Sequence, residues 1–180
     1  SLYAKKYLGV ENPKVGLLNI GAEDTKGTPL QKEAHALLTQ AHEQGILNFV
    51  GNIEGREVLN DHVDVLVADG FSGNILLKSV EGTAKFMLKE LKKVFYSNTK
   101  TKVGAMLLKK DMGHIKGLLD ASEVGGSPFL GISKPVIKAH GSSDARAICN
   151  AVLRAKEYAL SGFIEDIERD SYVLEARALY

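Results

Sequence analysis

The chain has 180 residues, and its content of 44% hydrophobic and 25% charged residues is typical of a soluble globular protein. The net charge of +1 gives no overall argument for nucleic-acid binding, and a single cysteine excludes both an internal disulfide and a cysteine-rich zinc site. No stretch has the pattern of a membrane-spanning helix or of a signal peptide, so the sequence favours a single cytoplasmic domain over residues 1–180.

Short apolar runs alternate with helical patterns along the first half of the chain. Thr28 begins a helix that carries Pro29 in its first turn, where the missing N–H costs nothing, and that ends at Gly45. The β-branched run from Val63 to Val67 is typical of a buried parallel strand. We expect strands at residues 14–20, 46–50 and 61–68 and helices at residues 1–8, 28–44, 56–60 and 73–96.

The second half of the chain begins with a break in the helical pattern at residues 97–99. An amphipathic pattern resumes after it, so residues 73–119 predict two helices joined as a protruding hairpin. A glycine-rich loop at residues 123–131, a strand at residues 135–139 and a helix at residues 145–160 follow. Residues 171–180 show no clear period.

Strands that alternate with helices predict an α/β fold with a mainly parallel sheet flanked by helices. In such sheets ligands bind at the carboxyl ends of the strands. Four polar, glycine-containing turns follow the predicted strands, at residues 21–27, 51–55, 69–74 and 140–144. We therefore expect these turns to meet at one edge of the sheet and to form a binding site there.

The turn from Asp69 to Asn74 is the strongest candidate for an anion site. It separates a buried strand from a long helix, so the first N–H groups of that helix are unpaired and carry partial positive charge. Glycines in the turn let the backbone approach a bound phosphate closely. The alternative is a tight turn in which Ser72 or Asn74 caps the helix and binds nothing else.

Five segments of the chain, in this order, resemble motifs of the bacterial phosphate acyltransferases. They are GLLNIGAE at residues 16–23, FVGNIEG at 49–55, VADGFSGN at 67–74, GGSPFLG at 125–131 and AHGSS at 139–143. The resemblance extends to about residue 170 and corresponds to the C-terminal part of a longer enzyme. It implies a fold similar to that of isocitrate and isopropylmalate dehydrogenases and of phosphate acetyltransferases.

The resemblance also implies a reaction, the transfer of a fatty acyl group from acyl carrier protein to inorganic phosphate, which gives acyl phosphate for phospholipid synthesis. Phosphate is a competent nucleophile and a thioester is a good electrophile, so neither a cofactor nor a covalent enzyme intermediate is required. We expect Lys26 to pair with phosphate or to polarise the carbonyl, and Asn74 to stabilise the oxyanion. We expect His140 to protonate the leaving thiolate or to donate to phosphate.

Six further residues complete the site that the resemblance implies, namely Asp69, Gly70, Ser72, Gly73, Gly141 and Ser142. The N–H groups of Ser72 and Gly73 are expected to hold the phosphate. Asp69 is expected to orient a neighbouring group, since a carboxylate repels an anion.

Each candidate also has an ordinary interpretation. Lys26 can be a simple loop lysine, Asn74 a helix cap, and His140 a donor to turn carbonyls. Cys149 lies inside a helical pattern, which favours a small buried residue over a nucleophile. The other four histidines lack the spacing of metal ligands, so we predict no metal site.

Charge is unevenly distributed along the chain. Residues 85–116 hold nine lysines and two acids, a net charge of +7, so the remainder of the chain carries −6. The predicted tip of the hairpin mixes these lysines with apolar residues, namely Val103, Met106, Leu107 and Leu108. This combination suits an anionic membrane surface or an acidic carrier protein. The family resemblance implies a homodimer that packs through Met87 and Leu91, and the alternative is a solvated charged face over that dimer core.

Two other functions remain open. Transfer from a small acyl-CoA to phosphate, as in phosphate acetyltransferases, fits the same fold, although the GGSPFLG segment resembles the long-chain family. A non-catalytic module that docks on a membrane or a partner fits the lysine-rich hairpin. A dehydrogenase of the isocitrate type is disfavoured, because the chain lacks an aspartate pair spaced for a metal.

Overall fold

The computed structural model describes residues 1–60, 62–108, 110, 112–113, 125–141 and 143–169. Within it the chain forms two units, Ser1–Lys78 and Ser79–Tyr180. The predicted hairpin beyond residue 113, the first part of the predicted glycine-rich loop and the final segment at residues 171–180 lie outside the described residues.

The first unit is built on a three-stranded parallel sheet. Its strands are β1 (Lys14–Asn19), β2 (Asn48–Glu54) and β3 (Val65–Val67), in the spatial order β2-β1-β3. The helices around them are α1 (Leu2–Lys6), α2 (Pro29–Glu43) and the start of α3 (Gly70–Phe95). The alternation of strands and helices predicted an α/β architecture with a parallel sheet, and the pairing confirms it.

The core of the first unit lies between the sheet and α2. Val15, Leu17 and Phe49 are buried. The ring of His35 on α2 meets the ring of Phe49 edge-on, with 5.2 Å between the centroids. Thr28 is the N-cap of α2, which begins one residue after the predicted start. Burial of these apolar groups is the main favourable contribution that holds α2 on the sheet.

Strand β2 contains one irregularity that decides which of its residues face the core. Pairing with β1 passes from Phe49 to Gly51 and leaves Val50 without a partner in that strand. Gly51 has a φ of +96°, which residues with a side chain rarely adopt. Because the alternation slips at this bulge, Phe49 and Asn52 lie on the same side of the sheet although they are three residues apart.

The predicted turn at residues 51–55 is wrong for the same reason. Pairing continues to the end of β1, where Asn19 lies opposite Glu54, so β2 includes most of that segment. Gly51 and Asn52 are turn formers, which is why the segment resembles a turn in the sequence. Their pairing with a distant strand overrides this local preference.

The second unit contains the remainder of α3 and a small antiparallel sheet. Its further elements are α4 (Thr99–Leu107), β4 (Ser127–Pro128), β5 (Ile137–Lys138) and α5 (Ala145–Leu160). Helix α5 packs on the sheet formed by β4 and β5, and the rings of Tyr158 and Phe163 are buried 5.5 Å apart. No helix in the described part of the chain combines the length and the hydrophobicity needed to cross a membrane.

The strand predicted at residues 135–139 has a different partner from the one expected. It is confirmed at Ile137–Lys138, where it pairs antiparallel with β4. Gly126 allows this approach, because a Cβ there would lie 2.9 Å from the carbonyl oxygen of Lys138. The turn at residues 140–144 therefore does not follow a strand of the parallel sheet. Among the predicted turns, those at residues 21–27 and 69–74 follow strands of the parallel sheet, namely β1 and β3.

Several helical predictions also change. Helix α3 begins three residues before the predicted start, because Asp69 caps it. Residues 56–60, predicted as a short helix, form turns. The described residues do not show α4 packed along α3, so the predicted hairpin is not confirmed. Cys149, predicted to be buried, is exposed, because the buried face of α5 passes through Ala151 on the other side of the helix.

The packing predicts opposite effects of a methyl group at two glycines. A Cβ on Gly16 would lie 2.3 Å from Ile53 Cγ1, whereas nothing lies within 4 Å of a Cβ on Gly82 in α3. We expect Gly16→Ala to lower the free energy of unfolding by about 1–3 kcal/mol through overpacking. We expect Gly82→Ala to raise it by about 1 kcal/mol through helix propensity. Urea denaturation measures both, and a Gly16→Ala protein as stable as the parent contradicts the strand spacing.

Candidate functional site

The loop after β1, residues 20–28, is held from inside the protein by a buried asparagine. Asn19 is 7% exposed, and its Oδ1 accepts the N–H of Ile20 at 2.8 Å. Its Nδ2 donates to the carbonyl oxygen of Lys26 at 3.1 Å. Gly27 makes room for this amide, because a Cβ there would lie 2.7 Å from Asn19 Oδ1 and the φ of Gly27 is +89°. One side chain therefore fixes the backbone near both ends of the loop.

A second buried asparagine holds the same loop from the neighbouring strand. Asn52 on β2 is 6% exposed and donates from Nδ2 to the carbonyl oxygen of Glu23 at 2.7 Å. The N–H of Lys26 donates to the same oxygen at 3.1 Å. Asn52 Oδ1 is buried and has no hydrogen-bond partner among the described residues. Both buried polar side chains of the described chain therefore bind this one loop.

The side chain of Lys26 is a cation of this loop, and the Glu23 carboxylate lies near its stem, because a Cβ on Gly21 would be 2.9 Å both from Glu23 Oε2 and from Lys26 Cγ. Lys26 is exposed, and its ammonium group forms no ion pair or hydrogen bond with any residue that the structure describes. Its stem lies across Gly21, since a Cβ on that glycine would be 2.9 Å from Lys26 Cγ and 3.2 Å from Cε. A compact ammonium group on a fixed backbone is suited to binding an anion.

The N-terminus of α3 is closed by Asp69. Its Oδ1 accepts the N–H groups of Phe71 at 2.9 Å and Ser72 at 2.8 Å. Its carbonyl oxygen accepts the N–H of Gly73 at 2.9 Å. Hydrogen bonds from Ser72 are the main cause that holds the pKa of Asp69 below its usual range, so this carboxylate remains charged at neutral pH.

The cap changes what the turn before α3 can offer a ligand. The N–H groups of Ser72 and Gly73, which we expected to hold phosphate, donate to Asp69 instead. Neither Ser72 nor Asn74 caps the helix, because Asp69 does. Asn74 is exposed in α3, and its side chain forms no hydrogen bond with any described residue. The N–H of Gly70 is not among the groups that Asp69 engages.

Gln31 connects the loop that carries Lys26 with the start of α3. Its Oε1 accepts the N–H of Thr28 at 3.1 Å and also bonds the Thr28 hydroxyl. Its Nε2 donates to Asp69 Oδ2 at 3.2 Å. Side-chain hydrogen bonds therefore extend along the carboxyl edge of the parallel sheet, from the loop after β1 to the turn after β3. The loop that carries Lys26 is thereby linked to the turn that carries Asp69 and Ser72.

The predicted site residues of the second unit lie in the turn between β5 and α5. His140 and Gly141 are exposed there, and the N–H of Ser143 donates to the carbonyl oxygen of His140 at 3.0 Å. Asp144 caps α5 by accepting the N–H of Ala147 at 2.8 Å. Ser142 lies outside the described residues. The hydrogen bonds that link the turns after β1 and β3 thus all lie within the first unit.

Asn19 and Asn52 are the residues of the site that the sequence analysis missed. A signal existed for Asn19, because an amide at the end of an apolar strand must find partners or lower stability. No signal existed for Asn52. Strict alternation from the buried Phe49 places Asn52 on the opposite face of the sheet, and the bulge at Gly51 reverses that assignment.

Known proteins match this chain over nearly its whole length. The family described as fatty acid synthesis protein matches residues 1–166. Proteins named phosphate acyltransferase from Oceanobacillus iheyensis, Clostridioides difficile and Acetivibrio thermocellus are 53%, 46% and 45% identical to it over 156, 169 and 175 residues. These matches cover 87%, 94% and 97% of this chain and 46%, 48% and 50% of the relatives. The chain therefore spans about half the length of the curated relatives it matches.

The cap at Asp69 predicts a pH-dependent contribution to stability. Because folding lowers the pKa of Asp69, its charge stabilises the folded chain above the ordinary value of 3.8, and this effect is lost as the pH falls through the lowered folded value. Asp69→Ala should therefore lower the melting temperature at neutral pH, and its difference from the parent should shrink below about pH 4. Thermal unfolding from neutral to acid pH measures this difference.

Asp24→Ala is the matched control for this experiment. Asp24 is an exposed aspartate of the same unit whose side chain forms no hydrogen bond with any described residue. Its removal should leave the melting temperature close to that of the parent at every pH. A difference between Asp69→Ala and the parent that stays constant from neutral to acid pH contradicts the role of the charged cap.

Proposed function

The chain belongs to the fatty acid synthesis protein family, and on that premise we propose that it carries the phosphate-binding part of a phosphate acyltransferase. The proposed reaction transfers a fatty acyl group from acyl carrier protein to inorganic phosphate and gives acyl phosphate for phospholipid synthesis. The names of the relatives support phosphate acyl transfer. The GGSPFLG segment, which resembles the long-chain family, supports a fatty acyl donor.

One observation carries the proposal most directly, the position of the Lys26 ammonium group. Among the described residues this cation has no ion-pair partner, and its loop follows β1 at the carboxyl edge of the parallel sheet, where ligands of α/β proteins bind. The loop is bonded at two carbonyl oxygens by buried amides, so the lysine side chain starts from a restrained backbone before a ligand arrives. We assign this ammonium group to phosphate.

The proposed reaction balances without another reactant. An oxygen of monohydrogen phosphate attacks the carbonyl carbon of the thioester and forms the new carbon–oxygen bond. The carbon–sulfur bond breaks, and the proton that phosphate carried ends on the sulfur of the carrier. Lys26 offsets the negative charge of the attacking dianion, and Asn74 donates its amide to the developing oxyanion. His140 is assigned to the proton transfer.

The remaining proposed contacts follow from the chemistry of the turns. Because Asp69 occupies the N–H groups of Ser72 and Gly73, the N–H of Gly70 is the group of the first turn that we assign to phosphate. The charge of Asp69 opposes anion binding at that helix end, which places more of the attraction on Lys26. Gly141 and Ser142 remain proposed substrate contacts.

Lys26→Ala tests this assignment in the full-length protein. Loss of a charge-assisted hydrogen bond should raise the KM for phosphate by about 10–100-fold and also lower turnover. Lys32→Ala, which removes an exposed lysine of α2, should leave the KM unchanged. Phosphate-dependent release of free thiol from fatty acyl carrier protein measures both variants. A Lys26→Ala enzyme with the parent's KM for phosphate contradicts the assignment. A parent enzyme that is active with acetyl-CoA and not with fatty acyl carrier protein favours the phosphate acetyltransferase alternative.

We further propose that α4 makes contact with an anionic membrane surface, as part of a cytoplasmic homodimer. The observation that favours it is the exposure of the apolar side chains of α4, none of which is buried. The exposed apolar residues of this segment are Val103, Met106, Leu107 and Leu108, and the exposed lysines beside them are Lys100, Lys102 and Lys110. Each lysine near an anionic surface contributes about 1 kcal/mol. Met87 and Leu91 of α3 are also exposed, which supports packing against a second copy of the chain.

Leu107→Glu/Leu108→Glu tests the membrane contact by vesicle flotation. Binding of the parent should rise with anionic lipid and fall with salt, and the double variant should bind weakly. Val152→Glu/Leu153→Glu, which alters two exposed apolar residues of α5, is the matched control and should float like the parent. Light scattering on each variant separates a lost membrane contact from a lost dimer. A double variant of α4 that floats like the parent contradicts the proposal.

A further inference from the structure

We propose that Asn19 and Asn52 are positioning residues that set the place of the Lys26 ammonium group for phosphate. This inference rests on the proposed function of Lys26. Neither asparagine needs to touch the substrate, because each acts through a backbone carbonyl of the loop at residues 20–28.

The sheet brings the two amides to one face. In the parallel pairing Leu17 lies opposite Asn52, and Asn19 lies opposite Glu54. Residues that pair across a sheet, and residues two apart on a strand, point to the same side, so both asparagines share the face of Leu17. This is the face that α2 covers, which explains why each amide is more than nine-tenths buried.

The hydrogen bonds from Asn19 and Asn52 reach the loop backbone at Lys26 and three residues before it. Asn52 bonds the carbonyl oxygen of Glu23, three residues before Lys26, and Asn19 bonds the carbonyl oxygen of Lys26 itself. The N–H of Lys26 closes the turn by donating to Glu23. Gly21 then supports the lysine stem from below. The backbone of Lys26 is therefore restrained on both sides, and its side chain leaves a fixed starting point.

Stability alone does not account for an asparagine at position 52. Its Oδ1 is buried and has no hydrogen-bond partner in the part of the chain that the structure describes, and an unpaired buried acceptor lowers the free energy of unfolding. An apolar side chain of similar size avoids that loss, and the Glu23 carbonyl would keep its bond from the Lys26 N–H. What the apolar side chain cannot supply is the bond that ties the loop to β2. The pattern fits a residue retained for position at the expense of stability.

The test compares two variants at position 52 in the full-length protein. Asn52→Leu removes the donor and also the unpaired oxygen, so it should keep or raise the melting temperature while the KM for phosphate rises by about tenfold. Asn52→Asp keeps the shape of the side chain and replaces the donor by an acceptor. Its excess KM relative to the parent should shrink as the pH falls, because a protonated carboxyl group can donate to the Glu23 carbonyl again.

Asn48→Leu is the control, since Asn48 is the same residue type at the opposite end of β2. It should leave the KM for phosphate unchanged. Hydrogen exchange of residues 20–28 gives a readout that does not depend on the substrate, and both Asn52 variants should exchange faster there than the parent.

The outcomes separate this inference from the proposed function. A parent-like KM in both Asn52 variants, together with a raised KM in Lys26→Ala, overturns the positioning role and leaves phosphate binding by Lys26 intact. An unchanged KM for phosphate in Lys26→Ala contradicts the proposed function of Lys26. Unchanged hydrogen exchange in residues 20–28 of the Asn52 variants shows, independently of the substrate, that Asn52 does not hold the loop. Raised KM and faster exchange at position 52, with neither in Asn48→Leu, support the inference.

Discussion

The parallel pairing of β1 with β2, interrupted once at Gly51, is the interaction on which the arrangement of the first unit depends. On the N-terminal side of Gly51, the pairing places Phe49 on the face of the sheet that α2 covers, where its ring meets that of His35. On the C-terminal side of Gly51, the same face receives Asn52. Without the extra residue of the bulge the alternation would send this amide to the other side of the sheet, and the loop at residues 20–28 would lose its bond to β2. A local backbone irregularity thus decides both the packing and the polar contacts.

The polar residues of this unit divide into two groups with different roles. Asn19 and Asn52 are buried and act on backbone carbonyls, so their effect is to restrain the chain. Lys26 and Asn74 are exposed, and their side chains form no bonds with other described residues, so they can meet a ligand. A hydrogen bond of 3.2 Å between the side chains of Gln31 and Asp69 connects the start of α2 with the start of α3. This division is the one expected of a preorganised site, in which buried groups hold the exposed ones in place.

The sequence predicts those parts of the fold that depend on local signals. Helices α2 and α5 were predicted within one residue of their ends, because Thr28, Pro29, Asp144 and the apolar spacing all lie inside or beside the helices themselves. The length of β2 and the partner of β5 were not predicted, since pairing with a distant strand decides both. The start of α3 was missed because Asp69 looked like part of a glycine-rich turn, although its carboxylate caps the helix. The family resemblance, and no local signal, made Lys26 a candidate site residue. The two amides that bond the backbone of its loop were identified from the fold.

The most direct test of the central claim, that phosphate is the acyl acceptor, follows oxygen atoms. The full-length protein is incubated with fatty acyl carrier protein and phosphate labelled with ¹⁸O at all positions, and the products are identified by mass spectrometry. The account predicts fatty acyl phosphate that retains every labelled oxygen, formed together with free carrier thiol. Unlabelled fatty acid, released at the same rate with and without phosphate, would contradict the account, because water and not phosphate would then be the acceptor.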